Sequence, residues 1–233
     1  MSDAGLADWD DLAAWWMAEV DTDPMYADDV YPLVFGLLGE VDGSVLDVGC
    51  GEGQGMRLHG GDVVGCDLSG SLLARARRAG PVVRCRLPGL EWARSDAFAA
   101  AFSVFVLDLV PDMNGFFAEV GRVVESGGAL VVLVNHPIFT APGAGPLLDD
   151  EGETLWRWGR YFDVGTEREP AGDGFVTFHH RPMGRLLNVA ASAGWILEAI
   201  EEHGLSPAAI EREPAYSGQE TIPRMLAARW RRA

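Results

Sequence analysis

The feature that most constrains the fold is a regular alternation of short β-rich runs with helical patterns, beginning at Ser44. Such alternation is typical of a parallel sheet whose strands are joined by helices. The predicted strands are Ser44–Val48, Asp62–Cys66, Val82–Arg84, Phe98–Phe105, Ala129–Val134, Trp195–Ile200 and Arg224–Trp230, and the predicted crossover helices are Ser69–Ala79, Asp112–Val124 and Pro182–Ala193. We therefore expect an α/β fold with a doubly wound, seven-stranded, mostly parallel sheet.

Two segments fall outside this alternation. Residues 1–40 contain a helix-like, aromatic stretch, Trp9–Leu38, and are expected to form an N-terminal helical cap. Residues 137–180 are too long for a simple connection, so we expect a lid-like insertion after strand five. Its aromatic stretch Trp156–Phe162 fits either a lid over an apolar substrate or, at helical spacing, a piece of core.

Length and charge narrow the class of protein. A chain of 233 residues with 48% hydrophobic content can form one domain spanning residues 1–233. The net charge of −17 would repel polyanions and anionic lipid, so we expect a small-molecule substrate and neither a nucleic-acid nor a membrane partner. All 18 basic residues are arginine, and the absence of lysine excludes a pyridoxal-phosphate Schiff base and a P-loop lysine.

Neither the first residues nor the cysteine spacing carries a targeting, disulfide or metal-binding motif. The segment Met1–Asp10 lacks the charged start and apolar run of a signal peptide, so a cytoplasmic protein is expected, as a monomer or homodimer. Cys50, Cys66 and Cys85 are widely spaced without a CxxC pair. They are predicted to be small buried apolar residues, with neither a disulfide framework nor a metal site.

The strongest functional signal is a strand that runs into a turn with glycine at every second position, Val45-Leu-Asp-Val-Gly-Cys-Gly-Glu-Gly-Gln-Gly55. Glycines there allow close backbone approach to a ligand at the carboxyl edge of the sheet. The spacing departs from the dinucleotide pattern Gly-x-Gly-x-x-Gly, whose third glycine is replaced by Gln54. Asp67 ends the second predicted strand, where its carboxylate can accept both hydroxyls of a ribose or can simply cap the following helix.

These residues resemble the class I S-adenosylmethionine-dependent methyltransferase family, in its small-molecule branch. Asp47–Gly53 is similar to the family's first motif, Asp67 to its ribose-binding acid, and Phe117–Gly128 to the helix and glycine turn before its fifth strand. The resemblance implies S-adenosyl-L-methionine as cofactor and a Rossmann-like sheet in the order 3-2-1-4-5-7-6 with strand seven antiparallel. It implies the cofactor-binding residues Asp47, Gly49, Cys50, Gly51, Gly53, Asp67, Leu68, Arg86, Leu87 and Ser103.

Two departures from the family pattern stand out. Where the family often has an acidic residue after strand three to hold the adenine amino group, this chain has Cys85-Arg86-Leu87. Adenine would then be recognised by backbone groups or by Asp96. The stretch from Gln54 to Asp62 is also short for the family's first helix.

Methyl transfer from a sulfonium mainly needs orientation, exclusion of water and, for a protonated acceptor, a base. His136, after strand five, and His180, at the end of the insertion, are the candidate bases, although both can instead pack within the hinge of the insertion. Trp16, Tyr26, Trp156 and Tyr161 are candidate substrate-binding residues. An NAD-dependent oxidoreductase and a non-catalytic S-adenosylmethionine-binding regulator remain alternatives, and the acceptor atom (O, N or C) stays open.

Overall fold

Strands and helices alternate along the chain in the order that the sequence predicts. The computed structural model describes residues 9–212 and 216–233. The strands are β1 (Val45–Val48), β2 (Val63–Asp67), β3 (Val82–Arg84), β4 (Phe98–Val104), β5 (Val124–Asn135), β6 (Gly145–Leu148), β7 (Thr154–Arg157), β8 (Gly165–Ala171), β9 (Gly174–His180), β10 (Trp195–His203) and β11 (Met225–Arg232). The helices are α1 (Ala13–Thr22), α2 (Tyr31–Leu38), α3 (Gln54–His59), α4 (Gly70–Ala76), α5 (Met113–Val123), α6 (Pro137–Thr140), α7 (Met183–Ser192) and α8 (Pro207–Arg212). A π-helical turn, Tyr26–Val30, precedes α2, and a 3₁₀ turn, Leu107–Leu109, follows β4.

Seven of these strands form one sheet in the order β10-β11-β5-β4-β1-β2-β3. Strands β1 to β5 pair in parallel, whereas β11 is antiparallel to both β5 and β10. With the two last strands counted as six and seven, this is the predicted order 3-2-1-4-5-7-6, so the fold expectation is confirmed. The order reverses at β1, and ligands of open α/β sheets bind beside such a point, at the carboxyl ends of the strands.

The hydrophobic core lies on both faces of the sheet. Alternate residues of β5 reach opposite faces, so Val132 packs in the layer under α5 and α7 while Val131 packs in the layer under α2. Helix α5 contributes Phe116 and Phe117, both fully buried, to the first layer. Buried strands covered on both faces explain the continuous apolar runs that stand out in the sequence.

The described part of the predicted cap contains α1, the π-helical turn and α2 between residues 13 and 38, preceded by a turn at residues 9–12; residues 1–8 lie outside the described residues. The insertion, residues 137–180, forms one short helix and two antiparallel hairpins, β6–β7 and β8–β9. The interpretation of Trp156–Phe162 as a piece of core at helical spacing is therefore wrong. Trp156 lies on a strand and is half-buried, while Phe162 is 86% exposed.

Two element lengths differ from expectation in opposite ways. Strand β5 begins at Val124, which pairs with Phe98 of β4, and β10 continues to His203, which pairs with Met225 of β11. Helix α3 has only six residues, as the short stretch before β2 requires. Over the two described ranges, no helix is long and apolar enough to cross a membrane.

Candidate functional site

A cavity of about 360 Å³ opens at the carboxyl edge of the sheet, beside β1 and β4. Its cofactor half, as we name it, comprises Gly49, Gly51, Asp67, Leu68, Leu72, Cys85, Arg86 and Leu87. Its acceptor half comprises Trp15, Leu109, Val110, Pro111, Asn135, Val176 and Phe178, and between the halves lie Trp9, Trp16, Met25, Tyr26 and Val104–Val106. The size is within the range of small-molecule sites, which combine apolar walls with a few polar groups.

The glycine turn after β1 shapes the cofactor half. Gly49 and Gly51 have φ angles of 81° and 53°, a left-handed conformation that favours glycine. A β-carbon at Gly49 would lie 2.3 Å from a methyl group of Val106, so the turn packs directly against the end of β4. The amide of Gly51 donates to Oδ2 of Asp67 at 2.9 Å, which joins the tips of β1 and β2. The result is a floor made of backbone, open to close approach by a ligand.

The carboxylate of Asp67 can accept more hydrogen bonds than the backbone amides of Ser69 and Gly51 supply. Its Oδ1 accepts from the amide of Ser69 at 2.8 Å, and its Oδ2 from that of Gly51. Since each carboxylate oxygen has two lone pairs, both oxygens can accept a further hydrogen bond on the cavity side. Burial raises the pKa of Asp67, and the backbone donors oppose that rise. The Ser69 hydroxyl caps α4 by accepting from Leu72 at 3.1 Å, so Asp67 is not needed as the helix cap, and its contact with a ligand diol stays a prediction.

The aromatic residues of the cap roof the cavity. A β-carbon at Gly51 would lie 3.6 Å from Nε1 of Trp16, so this indole covers the glycine turn. Edge-to-face contacts continue from Trp16 to Trp9, with ring centroids 6.1 Å apart, and to Tyr26, 6.0 Å apart. Tyr26 contacts Phe105 in the same way at 6.2 Å. The aromatic row thus spans from the cofactor half to the tip of β4.

Two aspartates fasten the cap to the rim of the cofactor half. Asp10 accepts from the Ser69 hydroxyl at 2.7 Å, from the Ser71 amide at 2.9 Å and from Arg84 at 2.8 Å. Asp21 forms a bidentate pair with Arg75, whose Nε also lies 2.8 Å from the buried carboxylate of Glu52 in the glycine turn. The cap is thereby anchored to α4 and to the turn by charge-assisted bonds.

The acceptor half is made by the hairpin β8–β9 and the loop after β4. Val176 and Phe178 of β9 pack with Leu109 and Trp15, forming a small apolar cluster separate from the main core. Sequence reasoning missed this wall, together with Trp15 and Asn135. The signal that could have revealed it is Gly172-Asp173, a two-residue turn of the kind that closes hairpins.

Several residues expected to hold the cofactor lie beside the cavity and do not line it. Asp47 is almost fully buried, and burial together with the charge of Asp67 raises its pKa well above the usual range. Ser103 is inside the sheet, where its hydroxyl donates to the carbonyl of Val48 at 2.8 Å. Gly53 packs on Ala76 of α4, and Cys50 is buried under the glycine turn. These four support the shape of the turn, and their contact with the cofactor stays a prediction.

On the adenine side, Arg86 and Leu87 line the cavity with Cys85. Asp96 is the wrong residue for reading adenine: it precedes β4 at the amino edge of the sheet and is ion-paired with Arg232. The described cavity therefore offers backbone groups and Arg86 at this end. The neighbouring Cys85 and burial raise the pKa of the Cys66 thiol, so these two cysteines lie near each other.

His136 does not line the cavity, which corrects the expectation that it faces the ligand. Its imidazole is 4% exposed, with Nε2 at 2.7 Å from Glu202 and Nδ1 accepting from the Ile138 amide at 3.1 Å. Side chains alternate at the end of a strand, so it is the preceding residue, Asn135, that reaches the cavity. A catalytic role for His136 stays a prediction, and this geometry gives it no support.

His180, Trp156 and Tyr161 also lie away from the cavity. Nδ1 of His180 pairs with the Thr140 hydroxyl at 3.0 Å, and its Nε2 with the carbonyl of Tyr161 at 2.8 Å. Trp156 stacks on Phe139 and donates to the carbonyl of Ile138 at 3.1 Å. These contacts hold the hinge of the insertion, which is the alternative the sequence left open. By contrast, Trp16 and Tyr26 lie on the cavity wall, where substrate-binding residues were expected.

Fold and cavity together define a class, the α/β proteins that bind a ribose-bearing ligand at a glycine turn. A family model described as "Methyltransferase domain" matches residues 46–132. The chain is 36% identical over 121 residues to a demethylmenaquinone methyltransferase of Tropheryma whipplei, covering 46% of this chain and 48% of that relative. It is 32% identical over 156 residues to a phosphatidylethanolamine N-methyltransferase of Cereibacter sphaeroides, covering 60% and 74%.

A solved structure extends the likeness to nearly the whole chain. The S-adenosylmethionine-dependent methyltransferase from Mesorhizobium loti has a TM-score of 0.75 and 30% identity, covering 91% of this chain and all of that one. The chain therefore belongs to the S-adenosylmethionine-dependent methyltransferase family. It spans only about half the length of the first curated relative that it matches.

Proposed function

We propose that this chain transfers a methyl group from S-adenosylmethionine to a small-molecule acceptor. The observation that carries the proposal is the two-part cavity, in which a glycine turn and a carboxylate face an apolar, aromatic wall across the tip of β4. The cofactor would supply an activated methyl group on its sulfonium. Asp67 would hold the ribose, the glycine turn would accommodate the amino-acid portion, and Arg86 and Leu87 would flank adenine.

The residues of this chain would contribute to catalysis by positioning the acceptor beside the cofactor. The described residues of the acceptor half include no histidine and no carboxylate, so no side chain there is placed to remove a proton. Tyr26 does not fill that role either, because burial raises the pKa of its phenol well above the usual value. The aromatic row would exclude water and align the acceptor with the tip of β4, which suffices when the leaving group is good.

Charge and relatives support a small-molecule acceptor. The net charge of −17 disfavours a nucleic-acid substrate. The curated relatives are named for demethylmenaquinone and, as an N-methyltransferase, for phosphatidylethanolamine, which are two different acceptors. The acceptor atom of this chain is left open between oxygen, nitrogen and carbon.

Calorimetry with S-adenosylhomocysteine tests the cofactor assignment. Asp67→Ala removes a charged acceptor of ligand hydroxyls, so we expect binding to weaken by about 10- to 100-fold. Asp62→Ala, an exposed carboxylate just before β2, is the matched control and should bind like the parent chain. Tight NADH binding with no response to the adenosyl ligand would instead support the oxidoreductase alternative and overturn the proposal.

A further inference from the structure

The acceptor half of the cavity is apolar except at one position. Six of its described residues present apolar or indole surface, whereas Asn135, at the end of β5, brings a side-chain amide. An isolated amide among apolar walls is costly unless it is hydrogen-bonded, and it fixes the orientation of any ligand that pairs with it.

Asp108, which does not line the cavity, sets the orientation of this amide. Oδ2 of Asp108 accepts both from the backbone amide of Asn135, at 3.0 Å, and from its Nδ2, at 3.3 Å. Asp108 lies in the turn after β4, is 8% exposed, and is near the positive charge of Arg181. An ionised carboxylate can only accept hydrogen bonds, so Asn135 must direct its NH₂ group toward Asp108. In the described part of the chain, no protein donor is assigned to the other atom, Oδ1.

We propose that Oδ1 of Asn135 is the hydrogen-bond acceptor that orients the methyl acceptor, and that this substrate is an apolar ring compound bearing a hydroxyl or amine hydrogen. The proposal deepens the proposed function and rests on it. Trp15, Phe178 and Leu109 would enclose the ring, while the donor group of the substrate would meet Asn135. Asp108 is a positioning residue: it does not line the cavity and acts through Asn135.

The role of Asp108 has a distinctive signature. In Asp108→Asn, the side-chain oxygen that takes the place of Oδ2 can still accept from both the backbone amide and Nδ2 of Asn135, so the orientation of Asn135 is kept. In Asp108→Ala no acceptor remains there, and the amide of Asn135 is free to turn its NH₂ group toward the cavity. The two variants separate loss of the acceptor from loss of the charge, since a role that depended on the charge of Asp108 would be lost in both.

The test compares two probes, 2-naphthol and 2-methoxynaphthalene, which differ in one hydrogen-bond donor. Dissociation constants are measured by ligand-observed NMR titration of the full chain saturated with S-adenosylhomocysteine. The readout is the dissociation constant of 2-naphthol divided by that of 2-methoxynaphthalene. Because this ratio is compared between variants, the difference in hydrophobicity between the two probes cancels. We expect Asn135→Ala to shift this ratio against naphthol by about three- to tenfold. Asn188→Ala, on an exposed position of α7, is the matched control and should leave it unchanged.

Asp108→Ala should also shift the ratio against naphthol, whereas Asp108→Asn should keep the parental ratio, and a cooperative thermal unfolding transition shows that each variant is folded. Equal ratios for these two variants would remove the positioning role of Asp108. The proposal is overturned if Asn135→Ala keeps the parental ratio, or if the parent chain binds neither probe. A separate titration with S-adenosylhomocysteine reports on the proposed function. Its failure would remove the cofactor assignment, whereas an unchanged probe ratio with normal cofactor binding would remove only the role of Asn135.

Discussion

At the scale of single residues, Asp108 and His136 respond to acid in opposite directions. Burial raises the pKa of Asp108 to about 6, so between about pH 4 and 6 the folded chain holds a proton there that the unfolded chain lacks. Folding is therefore favoured by acid at this site. Burial lowers the pKa of His136, despite Glu202, so below about pH 6.5 the unfolded chain gains the proton first and folding is disfavoured.

Asp108→Asn isolates the first effect. The difference in unfolding free energy between variant and parent should move by about 2 kcal/mol in favour of the parent as the pH falls from about 7 to about 4. The reason is that the parent sheds the penalty of a buried charge on protonation and the variant has none to shed. Urea unfolding at a series of pH values measures this. A difference that does not change with pH would show that Asp108 has an ordinary pKa in the folded chain.

The sequence indicated which residues line the cavity where the backbone turn determines their place, and it did not indicate which side chain at a strand end points into the cavity. Gly49, Gly51 and Asp67 line the cavity because the glycine turn and the strand-end acid have fixed places in the chain, and their contact with a cofactor stays a prediction. His136 stood out in the sequence because imidazole titrates near neutral pH, whereas Asn135 has no titratable group and gave no such signal. A position shifted by one along a strand reaches the opposite side, and sequence alone does not fix which residue of the pair faces the cavity.

At the scale of elements, the cap is the part whose attachment can be tested most directly. Asp10 and Asp21 hold it to α4 through exposed, charge-assisted contacts. The double variant Asp10→Ala/Asp21→Ala should release S-adenosylhomocysteine faster, and the difference from the parent should shrink at high salt, because salt screens exposed ion pairs. Stopped-flow displacement measures the rate.

Asp28→Ala removes an exposed carboxylate from the π-helical turn of the same cap and serves as control. It should release the ligand at the parental rate. Equal rates for the double variant and the parent would mean that the aromatic contacts alone keep the cap in place.

The sheet and the place of the insertion were predictable from the sequence, but the hairpins within the insertion were not. Runs of buried apolar residues, such as those of β5, are legible because a strand covered on both faces has no polar side. The hairpins of the insertion carry half-exposed strands with mixed sequence, and Trp156, Trp158 and Tyr161 obscure their period. Asp149 closes the loop of the first hairpin by accepting from the backbone amides of Glu151 and Glu153.

For the whole molecule, the charge predicts how the chain behaves toward polyanions. With a net charge of −17, it should show no retention of tRNA, rRNA or duplex DNA in a gel-shift assay at moderate salt. A basic protein of similar size is the positive control. A shift that weakens as salt is raised would contradict the small-molecule assignment, because counterion release requires a basic surface.

The roof of tryptophans has a thermodynamic consequence. One indole, that of Trp16, covers the glycine turn and also continues the aromatic row toward the acceptor half, so both ligands would favour the same closed arrangement of the cap. Two ligands that stabilise one arrangement are coupled, and the coupling is reciprocal: each raises the affinity for the other by the same factor. Cofactor and acceptor then do not bind independently, and a measured affinity for either one must be quoted with the concentration of the other.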